Sequence, residues 1–256
     1  MNADPIAMPP GWRLVAHEVL DSTNAEIRRL AATGESTHGT VVWARRQTAG
    51  RGRGARLWDS PAGNLSFSVL LRPGVPQTQF ALASFVAGIA VVEAVPSLHL
   101  ACKWPNDVLC GGRKLAGILL EGDSVEGRLS VLIVGIGVNV AWAPTAKGLR
   151  YPATSLAAEG IDVSVEEVLG RVCHFLAVWL DRWHRHGFAP VREAWLARAA
   201  GVGTPMTVRL DDDHAGVSGV FAGLDHDGAV LLKEENGTMR RILAGDVFFK
   251  QGTAEG

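Results

Sequence analysis

The chain has 256 residues, of which 47% are hydrophobic and 20% charged, and its formal net charge is −1. This composition is that of a folded globular protein and excludes an intrinsically disordered one. A net charge near zero also gives no overall signature of nucleic-acid or membrane binding.

The first 200 residues predict strands mixed with helices. A loosely alternating run over 12–20 predicts the first strand. Thr23, with Glu26 three positions later, has the spacing of a capping box and predicts a helix over 25–32. Residues 47–61 lack apolar periodicity and predict a loop. Further strands are predicted over 40–46, 64–71, 98–103, 108–109, 114–121 and 128–140, and further helices over 77–95, 164–186 and 191–199.

The pattern changes after Gly201, where short apolar runs alternate with turn residues. Short strands of this kind indicate a small barrel. We predict two domains, a large α/β domain over 1–200 and a small β domain over 201–256. Within the second, strands are predicted over 204–210, 216–224, 229–233 and 238–244, with turns at 211–213, 225–228 and 236–237.

The three cysteines, Cys102, Cys110 and Cys173, are odd in number and lack C-x-x-C spacing. They suggest neither a disulfide framework nor a zinc site, and free thiols fit a reducing compartment. Residues 1–10 lack the pattern of a signal peptide. The apolar stretch 80–92 is shorter than the roughly 20 residues that a membrane span needs, so we expect a buried helix. We therefore expect a cytoplasmic protein without a metal site or a membrane partner.

The loop over 50–58, with the sequence GRGRGARLW, is the strongest functional signal. Glycines let the backbone approach a ligand closely. No acidic residue lies between Glu35 and Asp59, and Trp58 could shield a site or stack on a base. Taken alone, the loop could equally be a solvated basic segment that contacts RNA. The guanidinium groups suited to bidentate contacts with phosphates belong to Arg51, Arg53 and Arg56.

Two lysine-containing motifs follow. Lys103 and Asp107 bracket a Trp-Pro step, and Asn106 offers both donors and acceptors, as adenine recognition requires. Lys114 stands at the mouth of an apolar run, where a cation could neutralise a carboxylate and the charge that develops on an α-phosphate. In isolation, a polar turn and a lysine that snorkels at a strand end are the better explanations.

Two further motifs place polar side chains in apolar surroundings. The run over 135–139, GIGVN, permits close backbone approach, and Asn139 needs hydrogen-bond partners if it is buried. Ser22, Thr23 and Asn24 offer hydroxyl and backbone N–H groups to a polar ligand. Taken alone, a packed core strand with a structural asparagine and a plain helix cap explain these motifs slightly better.

Together and in this order, the motifs resemble those of the biotin protein ligases (biotin–acetyl-CoA-carboxylase ligases). The arginine loop and the KWPND sequence over 103–107 carry most of the specificity of this resemblance, which spans residues 12–250. Its other parts are 22–24, Gln47, 114–119, 135–139 and the C-terminal segments 221–231 and 245–247, which look like the family's small SH3-like domain.

The resemblance implies an α/β (α+β) fold related to class II aminoacyl-tRNA synthetases, with a mixed sheet backed by helices and a small SH3-like β-barrel. It implies ATP-dependent activation of biotin to biotinyl-5'-AMP and transfer to a lysine of a biotin carboxyl carrier protein, with Mg²⁺ escorting the triphosphate. It assigns biotin binding to Ser22, Thr23, Asn24, Gln47, Arg51, Gly52, Arg53, Lys114 and Gly117. It assigns ATP binding to Arg51, Arg53, Arg56, Trp58, Asn106, Lys114 and Asn139, and catalysis to Lys114, Arg51, Arg53 and Asp107.

The chain departs from the family pattern in two ways. Ala55 stands where the arginine loop usually has glycine, and Gly54 stands one position earlier. Some members carry an N-terminal winged helix-turn-helix, whereas only 21 residues precede Ser22 here. We therefore expect no DNA partner. A homodimer is a further option that the sequence does not decide.

Three other functions fit part of the sequence. The sister family of lipoate and octanoate ligases and transferases has a related fold, but the Gly/Arg loop fits the biotin ligases better. None of the cysteines stands in the motif of an acyl-transfer nucleophile. An RNA-binding module would explain the basic loop, although the net charge is near zero. A non-catalytic biotin-binding protein would have no need of Lys114.

Overall fold

The computed structural model describes residues 6–145, 151–209 and 216–249, so the turn predicted over 211–213 lies outside the described residues. The N-terminal part forms a seven-stranded mixed sheet in the order β1-β2-β3-β7-β6-β5-β4. Strands β1 and β2 pair in parallel, and the other neighbours pair antiparallel. The strands are β1 (Arg13–Leu20), β2 (Thr40–Gln47), β3 (Leu65–Leu71), β4 (Leu100–Lys103), β5 (Asp107–Cys110), β6 (Arg113–Val125) and β7 (Arg128–Val138).

Helices cover both faces of this sheet. They are α1 (Thr23–Ala32), α2 (Leu82–Ala94), α3 (Val165–His186) and α4 (Ala189–Leu196). Successive residues of a strand point to opposite faces, so Val41 packs in the main core while Val42 packs against Ile27 beneath α1. Helix α2 lies on the first face with α3 and α4 packed against it, and α1 lies on the second face.

Helix α2 is apolar on every side because it is buried on nearly every side. The segment Gln77–Ala94 has the length and mean hydropathy, 1.3, of a membrane span, but 61% of it is buried inside the protein, as in the core helices of globular proteins. The predicted buried helix is confirmed. It begins at Leu82 rather than at residue 77, because Gln77–Gln79 form a separate 3-10 turn.

The C-terminal part forms a five-stranded antiparallel sheet in the order β11-β10-β9-β8-β12. The predicted mixed α/β fold with a small C-terminal β domain is confirmed, whereas the boundary near residue 200 stays a prediction. The sequence predicts four of these strands and misses the last, which follows Gly245 directly. The strands are β8 (Pro205–Arg209), β9 (Val217–Leu224), β10 (Val230–Lys233), β11 (Met239–Ile242) and β12 (Asp246–Phe249).

The predicted capping box at the start of α1 is wrong. Ser22 is the N-cap residue, its side chain makes no capping hydrogen bond, and the helix begins two residues earlier than expected. The Thr23 hydroxyl instead donates to Gln47, and the Glu26 carboxylate pairs with Arg29 at 2.7 Å. The capping-box residues are thus used for contacts outside the first turn.

Candidate active site

A cavity of about 940 Å³ opens on the α1 face of the large sheet. Its floor is made by alternate residues of β3, β7 and β6, which share one face. These positions hold small or polar residues, such as Ser66, Gly135, Gly137 and Gly117, so a hollow replaces the packing found on the other face. Every residue that the sequence assigns to biotin, ATP or catalysis lines this cavity: Ser22, Thr23, Asn24, Gln47, Arg51, Gly52, Arg53, Arg56, Trp58, Asn106, Asp107, Lys114, Gly117 and Asn139.

One end of the cavity is polar and uncharged. The backbone N–H and the hydroxyl of Thr23 donate to Oε1 of Gln47 at 2.8 and 3.1 Å. Nε2 of Gln47 donates to Oγ of Ser60 at 2.8 Å, and Ser66 donates to the same hydroxyl at 3.0 Å. This network fixes the Gln47 amide between α1 and the loop that follows β2.

Asn24 extends the polar end towards β3 and β7. Its Oδ1 lies 2.5 Å from Oγ of Ser68, which also lies 2.7 Å from Oγ1 of Thr23. Its Nδ2 is buried and has no hydrogen-bond partner within residues 6–145, 151–209 and 216–249. A methyl group at Gly135 would lie 2.4 Å from Asn24 Oδ1, so only glycine leaves room for this side chain.

Trp58 forms a wall of the cavity against the backbone of β6 and β7. A methyl group at Gly137 would lie 2.4 Å from the Trp58 indole, and one at Gly117 would lie 3.2 Å from it. The backbone of Trp58 is held as well, because its N–H donates to the carbonyl of Gly50 at 3.0 Å. The lack of a side chain at Gly137 in β7 and at Gly117 in β6 therefore leaves room for the indole.

Two lysines meet one carboxylate at the other end of the cavity. Lys114 Nζ lies 2.6 Å from Oδ1 of Asp107, and Lys103 Nζ lies 3.7 Å from Oδ2. Lys103 is only 3% exposed, and its ammonium group lies 3.8 Å from the ring centroid of Tyr151. Burial, opposed by the charge of Asp107, lowers the pKa of Lys103 to about 8.

A β-bulge brings Lys114 to this end. The register between β5 and β6 shifts between Val108 and Leu109, so Val108 faces Ala116 while Leu109 faces Lys114. Leu115 is the extra residue, and it packs in the core beside Ala116. Without the shift, alternation would turn Lys114 to the core face.

The arginine loop folds as a tight hairpin over the cavity. The N–H of Gly52 donates to the carbonyl of Arg56 at 2.7 Å, and Nε of Arg56 donates to the carbonyl of Arg53 at 2.7 Å. Gly54 takes φ 60° and ψ 42°, the left-handed conformation that glycine adopts without strain. The glycine at 54 thus makes this turn with alanine at the next position.

The C-terminal sheet holds the tip of the arginine loop. Nη1 and Nη2 of Arg56 donate to the two carboxylate oxygens of Asp246 at 3.4 and 3.3 Å. Arg53 NH1 donates to the carbonyl of Gly245 and to Oδ1 of Asn106, both at 3.3 Å. A further hydrogen bond joins the large N-terminal part to the C-terminal part, because the indole N–H of Trp104 donates to the carbonyl of Gly228 at 3.0 Å.

The two predicted adenylate asparagines differ in their contacts. Asn106 donates from Nδ2 to the carbonyl of Ile118 at 2.7 Å, and its Oδ1 accepts a hydrogen bond from Arg53. Asn139 donates to the carbonyls of Thr154 at 2.9 Å and Lys114 at 3.4 Å. Asn139 therefore anchors the backbone beside Lys114, which is the structural duty of a buried asparagine.

Sequence reasoning missed several residues of the cavity. Asp246 lies on the strand that was not predicted. Glu121 is not part of the lining, but its carboxylate lies 3.0 Å from the lining residue Arg51, and it stands at the end of a run predicted only as a strand. Ser60 and Ser66 are isolated serines whose spacing gave no signal. The period-two placement of Ser66 and Ser68 in β3, opposite Gly137 and Gly135, is the one pattern that could have pointed to the floor.

The fold and the site define an α/β protein with a cavity that is neutral and polar at one end and cationic at the other, suited to a small acid and a phosphate compound. The chain matches the Biotin/lipoate A/B protein ligase family over residues 16–139 and the Biotin protein ligase C terminal domain over 205–250.

Two relatives and one solved structure extend these matches. The chain is 42% identical to the biotin–[acetyl-CoA-carboxylase] ligase of Paracoccus denitrificans, over 90% of this chain and 97% of that protein. It is 36% identical to the bifunctional ligase/repressor BirA of Bacillus subtilis, over 93% of this chain and 74% of that protein. The biotin protein ligase from Aquifex aeolicus in complex with biotin and ATP superposes with a TM-score of 0.78 at 28% identity, over 93% of this chain and 99% of that chain.

The chain belongs to the biotin protein ligase family. The predictions of this family and of a ligase activity are confirmed.

Proposed function

We propose that the chain uses ATP to activate biotin as biotinyl-5'-AMP and transfers the biotinyl group to a lysine of a biotin carboxyl carrier protein. The observation that carries this proposal is the continuity of one cavity from Thr23 and Gln47 to Lys114. A compound with a neutral polar head, an apolar arm and a carboxylate end would match that sequence of environments.

The polar end suits the ureido ring of biotin. Such a ring offers one carbonyl acceptor and two N–H donors, and the end provides both kinds of partner. Nδ2 of Asn24 has no acceptor in the part of the chain that the structure describes, and a ligand carbonyl would supply one. The hydroxyls of Ser22 and Thr23 and the fixed amide of Gln47 offer the remaining partners.

In the first step, an oxygen of the biotin carboxylate attacks the α-phosphorus of ATP, and the bond to the bridging oxygen breaks to release pyrophosphate. Lys114 would neutralise the carboxylate and then the charge that builds on the α-phosphate. Arg51, Arg53 and Arg56 would bind the triphosphate, because guanidinium groups match phosphate geometry. Mg²⁺ would enter with ATP, held mainly by phosphate oxygens and water, since Asp107 is engaged by two lysines.

Closure of the arginine loop would keep water from the mixed anhydride. Trp58 presents its indole to the cavity and would lie beside the adenine, together with Asn106. Asn139 would hold the backbone of Lys114 in place by donating to the Lys114 carbonyl.

In the second step, the amine of the carrier lysine attacks the biotinyl carbonyl, an amide bond forms, and AMP leaves. The amine must first lose a proton. Asp107, which lines the cavity between Lys103 and Lys114, is the carboxylate we assign to orient that amine and to accept its proton.

Transfer to the carrier tests the complete proposal. We expect the purified chain, with MgATP and biotin, to add one biotinyl group to a carrier domain, as measured by intact-protein mass spectrometry. A carrier whose acceptor lysine is replaced by arginine should stay unmodified. Labelling that is independent of ATP, or equal on both carriers, would contradict the proposal.

A lipoate or octanoate ligase is the second candidate, because the matched family includes lipoate ligases. The cysteines count against an acyl-thioester route, since all three are buried and burial raises the pKa of Cys102 to about 12. A cytoplasmic location and the lack of a DNA partner stay predictions of the sequence, and a homodimer stays an option that the sequence does not decide.

A further inference from the structure

The basic loop receives its counter-charges from distant parts of the chain. No acidic residue lies between Glu35 and Asp59, so the loop itself contains no acidic residue to pair with its arginines. In the fold, Arg53 and Arg56 form ion pairs with Asp246. Arg51 instead pairs with Glu121 of β6, and Nη2 of Arg51 lies 3.0 Å from Oε1 of Glu121. The base of the loop is thus tied to the large sheet and its tip to the small one.

Glu121 has little freedom to move. Its other carboxylate oxygen, Oε2, accepts from Nε of Arg28 on α1 at 2.9 Å, and the side chain is only 16% exposed. Its backbone lies inside the β6–β7 ladder, directly opposite Ile133. A strand and a helix therefore fix the direction in which the carboxylate presents its free oxygen to Arg51.

Arg51 has few other restraints. It lines the cavity, its side chain is 47% exposed, and a free arginine side chain loses rotamer entropy on being fixed. A guanidinium group has five N–H donors in a planar fork. A contact through NH2 fixes the fork and leaves other donors for a phosphate.

We propose that Glu121 is a positioning residue that directs the guanidinium group of Arg51 into the cavity. This inference rests on the proposed function for the identity of the ligand, an acid and ATP, but not for the geometry. It differs from a latch that withholds Arg51, because loss of a positioning residue slows adenylation whereas loss of a latch accelerates it.

The chain offers a matched control. Asp123 lies two residues further along β6 on the same side and pairs with the same Arg28 at 3.2 Å, but it is 64% exposed and no described contact joins it to Arg51. Asp123→Asn therefore removes a neighbouring charge without touching the loop. Glu121→Gln keeps the shape of the side chain while removing its charge, and Glu121→Ala removes the acceptor altogether.

The experiment combines two measurements on the full chain. The first is biotin-dependent exchange of pyrophosphate into ATP. We expect Glu121→Ala to lower kcat/KM for ATP about fivefold, the size of a partly exposed ion pair, with Glu121→Gln between it and the unmodified chain and Asp123→Asn unchanged. In a double-mutant cycle with Arg51→Ala, the Glu121→Ala effect should vanish.

The second measurement is cleavage of the ligand-free loop by trypsin at Arg51, which needs no activity. Glu121→Ala should speed this cleavage more than Asp123→Asn does. Faster exchange in Glu121→Ala, additive effects in the cycle, or equal cleavage of the two variants would overturn the proposal. If the unmodified chain lacks exchange with biotin, the proposed function fails, and the cleavage comparison still decides the role of Glu121.

Discussion

The ammonium group of Lys114 lies 2.6 Å from the carboxylate of Asp107 because a bulge at Leu115 turns the lysine out of the core. The residues on either side of the bulge illustrate its effect. Leu115 and Ala116 are both buried in the core, while Lys114 and Gly117 both line the cavity. The extra residue in β6 therefore turns the Lys114 side chain from the core face to the cavity face, where its charge forms part of the cationic end of the site.

Lys114→Ala should abolish most of the adenylation activity. Loss of a preorganised charge at the reacting phosphate costs roughly 100-fold to 1,000-fold in rate. The measurement is biotin-dependent pyrophosphate exchange at saturating substrates. Lys233→Ala is the matched control, since Lys233 is an exposed lysine on β10, and it should exchange at the unmodified rate. Equal rates for the two variants would show that Lys114 is not used in the reaction.

Gly135→Ala and Gly137→Ala should damage different ends of the site. The new methyl group displaces Asn24 in the first variant and Trp58 in the second, each from a distance of 2.4 Å. We expect Gly135→Ala to raise KM for biotin more than KM for ATP, and Gly137→Ala to do the reverse. Steady-state kinetics with each substrate varied in turn measures both values.

A helix glycine supplies the control for this pair. A methyl group at Gly170 in α3 would meet its nearest atom at 3.4 Å, an ordinary contact. Gly170→Ala should therefore leave both KM values unchanged and raise helix stability by up to about 1 kcal/mol. If Gly135→Ala and Gly137→Ala changed the two KM values equally, the assignment of ends would be wrong.

Lys103 should make stability depend on pH. Its pKa is about 8 in the folded protein against an ordinary 10.5, because burial disfavours the charged form. Between these two pH values the unfolded chain holds a proton that the folded chain has released, so this group makes the unfolding free energy rise with pH. The slope is at most ~1.4 kcal/mol per pH unit.

Lys103→Met isolates this contribution. The unfolding free energy of the unmodified chain, minus that of Lys103→Met, should increase as pH is raised from 8 to 10. Urea unfolding at several pH values measures the difference. A difference that stays flat across this window would mean that the ammonium group keeps its ordinary pKa.

Asn139→Ala should lower stability more than it lowers ATP affinity. The amide donates to the carbonyls of Thr154 and Lys114, and the Lys114 carbonyl keeps the backbone N–H of Thr154 as a second donor. Leaving the buried carbonyl of Thr154 without its donor costs about 1–3 kcal/mol. Urea unfolding and KM for ATP, both measured where the variant is folded, separate the two effects. A large rise in KM at unchanged stability would return Asn139 to the ligand contacts.

Most of the fold and the composition of the site could be predicted from the sequence, because local patterns carry them. Alternation in 128–140 and helical spacing in 164–186 predict β7 and α3, and the Gly/Arg loop and KWPND sequence point to residues that line the cavity. The bulge at Leu115 could not be predicted, since the run from Lys114 to Leu120 alternates no differently from a regular strand.

Contacts between distant segments of the chain also could not be predicted from the sequence. Asp246 meets Arg56 only because the small sheet lies against the loop, and a four-residue strand after Gly245 gives too short a pattern to detect. Thr23 could serve as a helix cap, as the sequence predicts, or as a partner for Gln47, as the structure has it. The side-chain network of Gln47, Ser60 and Ser66 decides between them, and no local pattern encodes it.

Exchange of pyrophosphate into ATP, measured with biotin, lipoate, octanoate or no acid, tests the central claim most directly. We predict exchange that requires biotin and Mg²⁺ and is lost in Lys114→Ala. Exchange with lipoate or octanoate in place of biotin, or no exchange with any acid in a folded sample, would contradict the account.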